Sequence, residues 1–146
     1  MSNVIWEKVE TALVRYVRDR YLFMSGTGRT ENKLYAGFFT AKKEVPHIVA
    51  ECHEGEPEIV GEPTGNWICK ANFIITTKNS DETGQTNSAR FGLIMDALMD
   101  TQVVDSLTSR AEQFTVFLCQ VTRFSKHVQG DELVCEIGLT LHCCAS

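Results

Sequence analysis

The chain has little of what usually announces a chemistry. No apolar run approaches the roughly 20 residues that cross a bilayer as a helix, so no membrane association is expected. The opening residues, Met1-Ser2-Asn3-Val4-Ile5-Trp6-Glu7, contain no basic region followed by an apolar stretch. A secretory signal is therefore not expected, and synthesis in a cytoplasm follows. There are only four histidines, too scattered to nominate a general base. His53-Glu54 has no second histidine one helical turn away, as the two-histidine zinc signature requires. No two cysteines stand two to four residues apart, the spacing of structural zinc sites. Cys52-His53 and His142-Cys143-Cys144 are adjacent residues in strand-like segments, where neighbours point to opposite faces. Gly26-Thr27-Gly28-Arg29-Thr30 lacks the lysine–hydroxyl pair of a phosphate loop and follows a helix, where such a loop follows a strand. The strands carry no aromatic–basic motif for stacking bases, and the chain is acidic overall. No catalytic residue, metal or cofactor is expected.

What is present is an ordinary globular composition. With 146 residues, 43% of them hydrophobic and 23% charged, the chain can bury a real core in one α+β domain, 1–146. Six cysteines are even in number, but most fall inside apolar strand patterns and no signal precedes them. Reduced, buried thiols are expected. Charge is uneven along the chain. Residues 1–43 carry eight Lys/Arg against four Asp/Glu, net +4, while residues 44–146 carry six against fifteen, net −9. Such a split suits two surfaces of opposite sign and self-association in a fixed orientation, or else a solvated basic helix face.

A first helix is expected from a cap at Ser2 or Asn3 to about Ser25-Gly26, with Val9, Leu13, Tyr16, Val17 and Tyr21 on its apolar face. Glu10, Arg15, Arg18 and Arg20 fall largely elsewhere on it. Residues 25–44 have no sustained period and read as a long excursion with apolar islands at Leu34-Tyr35 and Phe38-Phe39. Pro46 opens a strand in which Ile48, Ala50 and Cys52 alternate with His47, Val49 and Glu51. Glu51 to Glu62 reads as an acidic, turn-rich loop. Trp67 to Thr77 is a strand, 79–86 a polar loop, and Asn87 to Met99 a helix with a Phe91, Ile94, Met95, Leu98 stripe. A short turn or helix follows at Val103–Leu107, then a strand from Phe114 to Arg123 and a polar turn at Ser125–Asp131. Leu133 to Cys143 alternates for eleven residues and closes the pattern. The expected fold is a mainly antiparallel sheet of about four strands with two main helices on one face, in the order α-β-β-α-β-β.

Two groups of residues are candidates for contact. Exposed aromatics and cations of the excursion, Arg29, Lys33, Tyr35, Phe38, Phe39, Lys42 and Lys43, would make an arm toward a neighbour. The alternative is that Tyr35, Phe38 and Phe39 fold back on the core. Glu54, Glu56 and Glu58 belong to an acidic segment without the alternating ligands and central glycine of a calcium loop, hence a solvated or partner-facing surface.

The layout also resembles a known family. Glu62-Pro63-Thr64-Gly65-Asn66-Trp67 opens a long strand ending Ile74-Ile75-Thr76-Thr77, and Asn79-Ser80-Asp81 follows. A helix then ends Ile94-Met95-Asp96-Ala97-Leu98-Met99, and Asp105-Ser106-Leu107 leads to Phe114-Thr115-Val116 and a closing hairpin. Over residues 1–23 and 45–146 this is similar to the small neck and tail-completion proteins of tailed bacteriophages, particularly the tail terminators. The resemblance implies a structural virion subunit that forms a ring, commonly of six copies. The ring ends polymerisation of the tail tube and joins it to the neck or connector, with DNA passing through unbound. It implies no catalytic residues, and partners that are further copies, the tail tube protein and a neck protein. Glu54, Glu56 and Glu58 would then face either the bore or a partner. Other readings are a head-completion or connector-stopper protein, a small-molecule-binding α+β domain and, third, an enzyme.

Overall fold

The computed structural model describes residues 4–25, 34–37, 47–58, 65–78, 81–111 and 113–145, with 21–25, 81–86 and 145 described by their backbone. Helix α1 spans Ile5–Ser25 and buries Val9, Leu13, Tyr16 and Val17, the stripe its sequence spacing predicts. Glu7 in its first turn faces the positive end of the helix dipole. Strand β1 (Leu34–Ala36) pairs in parallel with β2 (His47–Pro57) through Leu34↔Ile48 and Ala36↔Ala50. Part of the expected excursion is therefore an edge strand, and Leu34 lies in the core. Three residues are too few to display a period of two, so the pattern could not announce it.

β2 continues antiparallel to β3 (Asn66–Lys78) as far as Pro57↔Trp67. The expected acidic loop is thus strand through Pro57, with a bulge at His53, between Cys52 and Glu54. A bulge, Gly55 and Pro57 read as turn residues in isolation, yet they are what an edge strand tolerates. Helix α2 (Asp81–Leu98) begins six residues before Asn87, because its polar first turns have no apolar stripe to read. Helix α3 (Val103–Arg110) is longer than the expected turn and buries Val103 and Leu107. Strands β4 (Phe114–Gln129) and β5 (Glu132–Ala145) form one long hairpin closed at Gly130-Asp131. Gly130 has φ 63°, the first central position where a tight hairpin turn needs glycine.

The result is α+β, but the sheet is mixed and five-stranded, in the order β1-β2-β3-β5-β4, and three helices accompany it. The four-strand, two-helix, α-β-β-α-β-β expectation is corrected by β1 and α3. Alternate residues of the central strands, among them Ala71, Phe73, Ile75, Ile137, Leu139 and Leu141, meet the helices in the core. Polar contacts then fix the helices. Tyr16 donates from its hydroxyl to the Ala97 carbonyl, tying α1 to α2. Buried Asn87 donates to Thr77 Oγ1 at 3.0 Å and to the Leu133 carbonyl at 3.3 Å, pinning α2 to β3 and β5. Thr108 Oγ1 accepts from the Val116 N–H at 3.0 Å and holds α3 against β4.

Candidate assembly surfaces

Of the eight cations in residues 1–43, the described ones lie on α1, and some of them are paired within the fold. Arg20 of α1 pairs with Asp100 at 3.0 Å, and Arg110 of α3 pairs with Asp19 at 2.8 Å. Both guanidinium groups also lie over the Tyr16 ring, at 5.8 and 5.6 Å. Arg15 donates to the Arg110 carbonyl at 3.1 Å. One cation of α1, Arg20, and one of its acids, Asp19, are thus paired within the fold.

A sharper separation appears at the sheet edges. β2 carries Glu51, Glu54 and Glu56 and no Lys or Arg. β4 carries Arg123 and Lys126 and no acid. β4 is one edge of the sheet, and β2 lies at the other side, overlapped by β1 only from Ile48 to Ala50. Among the described residues, no strand pairs with the outer side of β2 from Glu51 to Pro57. That outer side is blunted against strand addition. The Cys52 N–H is taken by the Glu10 carboxylate at 2.9 Å, His53 is bulged, and Pro57 has no N–H to offer. Burial, opposed by that hydrogen bond and aided by Glu51 and Glu7, pushes the Glu10 carboxyl above its ordinary range.

β4 is the opposite case. Sixteen residues long, it exposes Phe117 (56%), Leu118 (39%), Phe124 (68%) and Val128 (57%). Two bulges, at Phe117 and Thr122, break the alternation, which is why a simple inside–outside reading of this strand fails. Phe124 makes an edge-to-face contact with Phe91 of α2 at 5.8 Å. Arg123 lies across Gly138, where a Cβ would come within 2.7 Å of its Cγ, and reaches Glu136 at 3.5 Å and Asn72 at 3.4 Å. Lys126 has no ion-pair partner among the described residues. Exposed apolar side chains on a long edge strand mark a surface awaiting a partner. Sequence reading missed these residues; the apolar doublet Phe117-Leu118 and the polar doublet Thr122-Arg123, which violate alternation, were the available signal.

Next to β2 lies a groove of about 410 Å³ between the first turn of α1 and the ends of β2 and β3, lined by Ile5, Trp6, Cys52, Glu54, Trp67 and Cys69. Gly55 lines it too, where a Cβ would make ordinary contact with Cys69 Sγ at 3.4 Å. Cys69 and Cys143 approach at 3.7 Å between sulfurs. Hydrogen bonding within the thiol group, with burial, pushes Cys52 and Cys143 up, while the same bonds pull Cys69 down. None of Cys52, Cys69, Cys119, Cys135 and Cys143 is in a disulfide, and among the described residues no His/Cys/Asp/Glu cluster is arranged to hold a metal. No helix among the described residues is long and apolar enough to cross a membrane.

Of the residues singled out in sequence, Arg29, Lys33, Phe38, Phe39, Lys42 and Lys43 lie outside the described residues. Tyr35 sits on β1, half-buried, with its ring 6.4 Å from His47 edge-on, so it folds onto the sheet. Glu54 and Glu56 stand on β2, and Glu58 just beyond it. Glu54 is 3.9 Å from Lys70, and Glu58 is 3.9 Å from His142. All three glutamates are exposed; Glu54 and Glu56 lie on β2, while Glu58 reaches across the sheet to His142 of β5.

No family model matches the sequence, and no curated protein matches it. Among solved structures, the chain is similar to one in the "Virion of native gene transfer agent (GTA) particle". The TM-score is 0.64 at 12% identity, covering 92% of this chain and 93% of that one. At that identity, the likeness is one of fold.

Proposed function

We propose that this chain is a structural subunit of a phage-type virion and acts by assembling, not by catalysis. The observation that carries this is the near end-to-end fold likeness to a chain of a gene transfer agent virion. The long, apolar, basic edge strand β4 supports it, because a monomer has no use for such an edge. More finely, the chain is a tail terminator. It forms a ring, of six copies as in the family it resembles, which caps the tail tube, meets the neck connector and lets DNA pass. That finer role rests on the layout from Glu62 to Thr77 and from Ile94 to Val116. A head-completion or connector-stopper role is the second reading, since the solved relative is described by its particle and by no position within it. Particles produced without this chain separate the two. A terminator's absence leaves tails of uncontrolled length that fail to join heads. Tails of normal length with unsealed heads would instead select the head-completion role.

A further inference from the structure

We propose that the ring is built head to tail, with β4 of one copy seated against the β2 edge and the α1–β2–β3 groove of the next. The inference rests on the ring reading above and names its interface.

Both halves of the contact are present on one chain. The donor is an edge strand with exposed Phe117 and Leu118, two cations and no acid. The acceptor is an acidic strand with no Lys or Arg, flanking a groove floored by Trp67 and Cys69 and walled by Trp6, itself 53% exposed. A β4–β4 pairing would set cations against cations, and a β2–β2 pairing acids against acids. Opposite signs therefore select β4 to β2. The two edges lie on opposite sides of the sheet, so the contact is heterologous, the kind that builds a ring when the rotation between copies closes.

The heights agree as well. Val116, beside the Phe117 bulge, is level with Cys143 and so with Trp67. Arg123 is level with Gly138, Asn72 and Glu51. Rotation about an axis running along the strands preserves these levels. It brings Phe117 of one copy to the Trp67 groove of the next, and Arg123 to the height of Glu51. Because the outer side of β2 is blunted, the joint is made by side chains in a groove and not by a continuous backbone ladder.

Two exposed substitutions test this. Phe117→Asp disables the donor, and Trp6→Asp disables the groove while placing an acid in a helix first turn, where it is tolerated. Each variant alone is expected to weaken self-association roughly thirtyfold or more in analytical ultracentrifugation. Mixed in equal amounts, the two should give a discrete heterodimer, because one good donor and one good groove remain. That dimer also demonstrates that both variants fold. Should either variant melt below the wild type, the milder Phe117→Ser and Glu54→Arg, at positions also exposed, replace them. Wild-type rings that persist in both variants, or a mixture that stays monomeric, would overturn this interface and leave the ring reading standing. A wild-type chain that stays monomeric both alone and on tail tubes would overturn the ring reading itself.

Discussion

Glu10 is the residue at which three elements meet. It leaves α1 buried, accepts the Cys52 N–H of β2 at 2.9 Å, and lies where a Cβ on Gly37, at φ 79° just after β1, would come within 3.2 Å of its Oε1. Its sequence position gave the opposite impression, on the polar side of the helix beside arginines, because the unpaired edge of a distant strand cannot be seen in a local period. Tyr16 was legible as core, but not the two guanidinium groups stacked on it, which come from α1 and from α3. Burial raises the Glu10 carboxyl, so its contribution to stability is fully present below the ordinary carboxylate range. It is lost as pH rises through the raised value. A glutamine at this position keeps an acceptor for the Cys52 N–H and does not titrate. Glu10→Gln should therefore gain stability relative to wild type as pH rises from acid to neutral, read from urea midpoints at several pH values. A difference that stays flat with pH would show that Glu10 is not held in this environment.

At the scale of elements, the sequence displayed those that alternate or repeat over many residues. α1, β3, β5 and the apolar half of α2 follow from period alone, because one face of each meets the core continuously. The elements it concealed are edge features. β1 is too short, the far half of β2 carries glycine, proline and glutamates, and β4 is bulged twice. Edge strands are half-free of the core, so their sequences answer to partners and solvent as much as to packing. The β4–β5 hairpin depends on Gly130, whose φ of 63° penalises any branched side chain. Gly130→Val should cost about 1–2 kcal/mol in chemical unfolding. An unchanged midpoint would mean that the turn is not held in this conformation. The same asymmetry holds for the candidate surfaces: the acidic residues Glu54, Glu56 and Glu58 were visible in sequence, while the apolar β4 surface was hidden by its bulges.

For the whole molecule, what matters is the arrangement of its edges. The helices cover one face of the sheet, and Asp19 and Arg20 of α1 pair with Arg110 of α3 and with Asp100 in the turn before it. The remaining opposition is between a basic, apolar β4 and an acidic β2 at opposite sides of five strands. A chain built this way has a direction, and directed contacts between identical copies give rings where the rotation closes and open filaments where it does not. The likeness to a gene transfer agent virion chain is one of fold and extends over 92% of this chain. Native mass spectrometry of the purified wild-type chain, alone and with tail tubes, tests the central claim most directly. One closed assembly of a single copy number, near six, is expected, at least when tube is present. A chain that remains monomeric under both conditions would contradict it.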